Sequence, residues 1–342
     1  MKDLIKELSD MRAISGSEYR INESIRDKFL PYADEVRIDA LGSVIAKRES
    51  NKNNAPTVMI EAHCDEIGLI VTDITDEGFI TFGAVGGIDT RILPSSVVTV
   101  HGIKDIKGVI GIKPDCLIES GKAVKMRDMA IDTGMSVSSV KKYISIGDGI
   151  TLPQSVGMLG KKQFSGKTLD DRASVAALIK TMEKLSGKDL NVNVCACAHV
   201  QEEVGCRGAK VSAFGINPDI AIAIDVTHGI TPDNAYNAFP VGEGITVSVG
   251  PNIHPALVDR LMKTAKAHNI KFATEVDGGE TGTDAWEIQN ARNGIPTALL
   301  SIPLKYMHTS VETLAISDVK ALVKLLTAFC EELEGDTSWL KF

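Results

Sequence analysis

The chain predicts an α/β fold, a mixed sheet flanked by helices, interrupted by a small inserted β domain. Three observations predict it. Short runs of apolar and small residues recur at 57–62, 192–200, 220–224 and 297–302, the pattern of strands buried on both faces. Stretches with helical apolar spacing lie around those runs. Residues 69–160 change texture, to short β-branched segments punctuated by glycine, which suggests a small β barrel or sandwich. The expected organisation is an α/β domain of residues 1–68 plus 161–342 and a β insert of 69–160.

Taken in order, residues 3–13 and about 17–30 carry helical spacing, with Leu4, Ile5 and Leu8 in the first and Ile21, Ile25 and Phe29 in the second. Ser17 is placed to cap the second helix and Pro31 to end it. Segments 36–38 and 43–47 read as strands around a turn, and 57–62 as a core strand. In the insert, strands are expected at 69–74, 79–82, 96–100, 109–112 and 150–152, with one helix near 138–143 in an otherwise polar tract, 122–145. The α/β pattern resumes near Lys161. A helix is expected from Ala173 to Leu185, on the stripe Val175, Leu178, Ile179, Met182 and Leu185. Core strands at 192–200 and 220–224, a further strand at 242–249, a helix at 255–268, a strand at 297–302 and a closing helix at 317–333 complete the α/β part. Residues 207–214 form a short connection with helical character.

The apolar runs end on groups that carry chemistry. The strand at 192–200 leads to Gln201-Glu202-Glu203-Val204-Gly205, and that at 57–62 to His63-Cys64-Asp65-Glu66. The strand at 220–224 ends on Asp225, and that at 297–302 leads to His308. Asp170 stands just before a helix. In open α/β sheets ligands bind at the carboxyl ends of strands. Each signal has a plainer reading. Glu-Glu suits a solvated loop, a lone His a satisfied core histidine, and Asp170 a helix N-cap. Alternation points His63 and Asp65 the same way, so Asp65 is placed to orient the imidazole. Together, two imidazoles, three ligand carboxylates and a spare carboxylate form a donor set for two borderline divalent ions. Two such ions roughly 3.5–4 Å apart clamp a water and polarise a carbonyl, and the spare Glu takes the proton.

Composition removes other classes. The 342 residues carry a net charge of −8 without a clustered basic face, against nucleic-acid binding. No apolar run is long enough to span a membrane, and the first residues form an amphipathic helix rather than a signal peptide. Cytoplasmic residence is the expectation. The six cysteines contain no CxxC pair and read as buried thiols in a reducing compartment. Nucleophile-elbow and His-Glu-x-x-His motifs are absent.

The chain closely resembles, nearly end to end, the dinuclear metallo-aminopeptidases of family 42, which include glutamyl aminopeptidases and the tetrahedral aminopeptidases of archaea. The resemblance rests on His63-Cys64-Asp65-Glu66, Leu169-Asp170-Asp171-Arg172, Gln201-Glu202-Glu203-Val204-Gly205, Ile224-Asp225-Val226, Gly282-Thr283-Asp284-Ala285 and Ile302-Pro303-Leu304-Lys305-Tyr306-Met307-His308. It implies a twisted α/β catalytic domain with a small β-barrel dimerisation insert. It also implies two divalent metal ions, zinc or cobalt, held by His63, Asp170, Glu203, Asp225 and His308. By the resemblance Asp170 bridges, Asp225 joins His63 on one ion and Glu203 joins His308 on the other. Glu202 is then the general base, and Asp65 holds His63 in its ligating tautomer. Short peptides are the implied substrates, cleaved at the amino end, and a dimer-based homo-oligomer up to a hollow dodecamer is the implied assembly. Lys305 departs from the Arg common before Tyr-Met-His, and Asp115-Cys116 from a common Pro-His. Two other readings compete. A glycoside hydrolase, a label some members carry, needs two opposed carboxyls and no histidines. A non-catalytic assembly or metal-storage protein predicts loss of Glu202, which is present.

Overall fold

A computed structural model describes residues 1–112, 124–153, 155–234 and 237–340. In chain order, helix α1 (Lys2–Asp10) and α2 (Asn22–Phe29) precede the strands β1 (Glu35–Ile38), β2 (Val44–Arg48) and β3 (Thr57–His63). Next come β4 (Gly68–Ile74), β5 (Ile80–Val85), β6 (Val97–His101), β7 (Asp105–Ile112), β8 (Met129–Asp132), α3 (Val137–Tyr143) and β9 (Gly149–Thr151). Then follow β10 (Gly157–Leu159), β11 (Gln163–Gly166), α4 (Leu169–Leu185), β12 (Asn193–His199), α5 (Arg207–Ile216), β13 (Ile220–His228) and β14 (Ile245–Val249). The chain closes with α6 (Pro255–Ala267), β15 (Phe272–Val276), α7 (Ala285–Ile288), β16 (Thr297–Leu304), β17 (Glu312–Ala315) and α8 (Ile316–Glu332).

Eight strands form one mixed sheet in the order β1-β2-β12-β3-β13-β16-β14-β15. Its centre, β12-β3-β13-β16, is parallel throughout, so four strands present their carboxyl ends side by side. The run β12 to β13 steps across β3, which puts a change of strand order at the centre of that edge. The parallel strands are buried along almost their whole length, which is why they read as continuous apolar runs. Helices α1, α4 and α8 pack together on the sheet, and α5 packs with α7. Six strands, β4-β5-β8-β7-β6-β9, close into a barrel with its own core of Leu69, Val71, Ile80, Val98, Val100 and Ile110, among others. A barrel satisfies its own edges.

The structure departs from the expected elements in places. The expected 17–30 helix divides into a tight turn at Glu18–Arg20 and α2, and Ser17 makes no side-chain cap. The turn faces Glu18 inward, where its carboxylate accepts the Gln201 N–H at 2.9 Å. The tract 122–145 holds β8, which alternates and closes the barrel. Strand β15 and the three-stranded sheet β10-β11-β17 were not expected. The 207–214 connection has the helical character expected of it and extends as the helix α5. Asp115 and Cys116 lie outside the described residues. Of the five described cysteines, all free, Cys206 is half-buried rather than buried. No helix among the described residues is long and apolar enough to cross a membrane.

One buried ionic node fastens the N-terminal segment under the sheet edge. Arg172, wholly enclosed, donates to the carbonyls of Cys64 (2.8 Å), Leu8 (2.9 Å), Met11 and Ala13 (3.3 Å). Glu66 accepts from Lys167 Nζ (2.6 Å), Thr168 Oγ1 (3.0 Å), Ala13 N (2.9 Å) and Arg172 Nη2 (3.3 Å). Burial pushes the Glu66 carboxyl up, and Lys167 and Arg172 outweigh it and hold the group below its ordinary value. Its contribution is therefore present above the ordinary carboxyl range and is lost as pH falls through the depressed value. Glu66→Gln leaves two buried cations short of an anion and should cost about 3–5 kcal/mol, read as a lower urea midpoint at neutral pH. The variant should also lose part of the fall in midpoint that the parent shows in acid.

Candidate metal centre

The carboxyl edge of the sheet gathers the chemistry-bearing residues from five stretches of chain. His63 is the last residue of β3, and Asp225 lies on β13 one strand away. Glu202 and Glu203 follow β12, and His308 lies beyond the end of β16. Asp170 enters from the start of α4, where Asp170 and Asp171 both depart from helical geometry, so Asp170 is not a simple cap.

Asp170 sits between the two imidazoles. Its Oδ1 lies 3.0 Å from His63 Nε2 and its Oδ2 lies 3.4 Å from His308 Nε2. His308 Nε2 also lies 3.3 Å from Glu203 Oε1. On the other side, ligating atoms of His63, Asp171 and Asp225 fall within 4.8 Å of one another. Each imidazole thus shares Asp170 and has acids of its own. The His308 tautomer follows from its other nitrogen. His308 Nδ1 lies 3.0 Å from the Gly87 carbonyl, which only accepts, so Nδ1 carries a proton and Nε2 faces the acids. A Cβ at Gly87 would sit 2.8 Å from that Nδ1, so the contact requires glycine. His63 Nδ1 faces Asp65 Oδ1 at 3.5 Å without a hydrogen bond, with Nε2 toward Asp170.

Two further acids hold the frame. Asp65 is wholly buried and accepts the backbone N–H of Glu202 (3.1 Å) and Glu203 (3.2 Å) and the Ser15 hydroxyl (2.6 Å). It fixes the loop carrying the paired glutamates as well as facing His63. Glu312 accepts the N–H of Asp170 (3.0 Å) and of His308 (3.2 Å). The spacing places Asp65 beside His63 but not on the glutamate backbone, and it does not mark Glu312, which joins the neighbouring His308 to the distant Asp170. Asp171, Asp284, Glu61 and His199 were also missed as participants; Asp284 lies within 4.8 Å of Glu202 and Cys206.

The electrostatics are those of too many buried acids for the cations present. Burial and neighbouring carboxylates push Asp225 and Asp171 well above the ordinary range. Burial pushes Glu202 up to about 10, with Asp225, Asp284 and Glu203 adding to it and His63 opposing. Asp170 is held low, because His308 and His63 outweigh its burial, and Asp65 is likewise held below its ordinary value, its burial outweighed chiefly by His63. Burial opposes protonation of His308, yet Asp170 and Glu203 raise it to about 11. Both carboxylate oxygens of Asp171 are buried without a hydrogen-bond partner. Orphaned acid oxygens, a carboxylate divided between two rings, and an O and N donor set fit a pair of divalent cations. The cluster opens into a cavity of about 540 Å³, whose wall also carries Thr227, Glu275, Asp277 and Glu280.

Comparison with known proteins follows the same outline. The family model of the M42 glutamyl aminopeptidases matches residues 42–325. A lysyl aminopeptidase of Pyrococcus furiosus is 34% identical over 341 residues, covering 97% of both chains. Among solved structures, aminopeptidase APDkam598 of Desulfurococcus kamchatkensis superposes with a TM-score of 0.93 at 34% identity, covering 99% of this chain and 96% of that one. The TET1 peptidase of Pyrococcus horikoshii, which can assemble into a tetrahedron or a large octahedral shell, gives 0.86 at 32% identity, covering 97% and 99%. A Thermotoga maritima protein named an endoglucanase gives 0.79 at 28%, covering 96% of each. The match of family model, full-length relatives and fold places this chain in the M42 glutamyl aminopeptidase family.

Proposed function

We propose that this chain is a dinuclear metal-dependent aminopeptidase that removes the N-terminal residue from short peptides. The observation that carries the reading is the division of the Asp170 carboxylate between His63 and His308. In this reading Asp170 would be shared between two ions, with Asp225 and His63 holding one and Glu203 and His308 the other. Imidazole and carboxylate donors suit zinc or cobalt. Such ions supply Lewis acidity, making a water nucleophilic and polarising the scissile carbonyl.

The chain's own residues do the rest. Glu202 stands beside the ligands without being one of them. With divalent cations offsetting the neighbouring acids, its carboxyl would be ionised and would take the proton from the attacking water and return it to the nitrogen of the leaving amine. Asp65 keeps the His63 ring in its ligating tautomer while it pins the Glu202-Glu203 backbone. The acids Glu275, Asp277 and Glu280 on the cavity wall offer an ammonium group a favourable field, which suits a free amino terminus. A glycoside hydrolase is not favoured, because its two opposed carboxyls have no use for imidazoles. Residence in the cytoplasm accords with the free thiols. A homo-oligomer built from dimers through the barrel, up to a tetrahedral dodecamer, accords with the assemblies of the Pyrococcus horikoshii relative and with exposed Val97, Ile103 and Ile146 in the barrel segment.

Two variants test the roles. Glu202→Gln keeps both ions and loses the base, so turnover of an aminoacyl chromogenic substrate should fall roughly 10²–10⁴-fold. Near-normal turnover in the metal-replete variant rejects the role. Asp65→Asn replaces an acceptor oxygen with a donor and should lower metal affinity or activity on the order of 10–100-fold, measured on protein with an unchanged circular-dichroism spectrum. An unaltered metal dissociation constant together with parental activity counts against the orienting role.

A further inference from the structure

A second cluster of buried ionisable groups adjoins the site, and no step above uses it. In the parallel pairing of β12 with β3, Cys197 stands opposite Glu61 and His199 opposite His63. Alternation then puts Glu61, His63 and His199 on one face of the sheet. Asp284, immediately before α7, meets them there, and α7 packs against β13 and β16. Glu61 and His199 are wholly enclosed and Asp284 is 3% exposed. His199 Nδ1 lies 3.0 Å from Glu61 Oε2 and 3.1 Å from Asp284 Oδ2. Both Glu61 carboxylate oxygens, His199 Nε2 and Asp284 Oδ1 have no hydrogen-bond partner.

Charge counting states the difficulty. Two carboxylates and one imidazole share a space closed to solvent, and unpaired acids there are costly. A protonated imidazole sets one positive charge against two negative ones, and its single N–H on that side is contested by both acids. A divalent cation with a neutral imidazole balances the two carboxylates. The ligating atoms of Glu61, His199 and Asp284 fall within 4.8 Å of one another, the same criterion that His63, Asp170 and Glu203 meet. Their nitrogen-to-oxygen distances of 3.0 and 3.1 Å match the 3.0 and 3.4 Å around Asp170. Two oxygens and one imidazole nitrogen suit zinc, cobalt or manganese.

We propose that Glu61, His199 and Asp284 hold a third divalent cation, distinct from the pair that shares Asp170. The ion ties β3 and β12 to the start of α7 beneath the reaction cavity. Asp284 also gathers with Glu202 and Cys206, whose thiol lies 3.5 Å from Glu202 Oε1. The third ion is thus a positioning element, steadying the wall against which Glu202 rests without touching substrate. The proposal concerns occupancy and is independent of the substrate assigned above.

Diffraction at the zinc absorption edge from crystals of the wild-type protein loaded with Zn²⁺ tests it. The expected map has three anomalous peaks per subunit, one of them bounded by Glu61, His199 and Asp284. Metal analysis of the same protein should give three equivalents per subunit, and Glu61→Gln and His199→Gln should each lose one and keep two. Peaks confined to the His63 and His308 region overturn the proposal, as does a Glu61→Gln protein with the parental metal content; shared protons then hold the acids. Loss of the peaks at His63 and His308 alone would defeat the dinuclear reading and leave this one standing. The wild-type map decides even where the glutamine variants fail to fold.

Discussion

Asp170 gives one carboxylate oxygen to His63 and the other to His308, and the rest of the site is arranged around that division. The carboxylate can bridge only because both rings turn the same nitrogen, Nε2, toward it. His308 does so because Gly87 supplies a carbonyl to Nδ1 and has no side chain to block the approach. His63 turns its other nitrogen toward Asp65. Around this pair stand Asp171, Glu203 and Asp225, acids whose charges the buried site does not balance by itself.

The fold concentrates these groups by geometry. Parallel strands deliver β3, β12, β13 and β16 to a single edge, so residues from positions 63, 203, 225 and 308 become neighbours. Their backbones are then held by acids that belong to other segments. Asp65 pins Glu202 and Glu203, and Glu312 pins Asp170 and His308. Below them, the Glu66, Lys167 and Arg172 node joins the N-terminal segment to the loop after β3. Stability and site geometry therefore share residues: Arg172 takes the carbonyl of Cys64, the residue after His63.

Much of this is legible in the sequence. The parallel core strands announce themselves as unbroken apolar runs; His63, Asp225 and the Glu202-Glu203 pair stand at or just after the ends of such runs, and Asp170 at the start of a helix. What the sequence does not show is mostly non-local. Glu312 takes the N–H of Asp170 from across the chain, and Asp284, although it stands in a motif of the resemblance, meets His199 only in the fold. Glu61 sits inside an apolar run and was absorbed into it, although an acid there is the very residue that needs a reason. Strand β8 is short and embedded in a polar tract, and β10, β11 and β17 form a sheet only because distant segments meet. The turns that aim the site use left-handed backbone at Thr168, Gln201, Cys206, Tyr306 and His308, a conformation that non-glycine residues rarely declare in sequence.

The proposed function requires that cations, not protons alone, balance the acids around Asp170 and that the reaction depends on them. The most direct measurement is aminopeptidase activity on short peptides after exhaustive chelation, followed by titration with Zn²⁺ or Co²⁺. The expected result is activity at background in the metal-depleted protein, restored by the added ion and reaching full turnover only when both sites around Asp170 are filled. Full turnover in protein verified free of divalent ions would contradict the account.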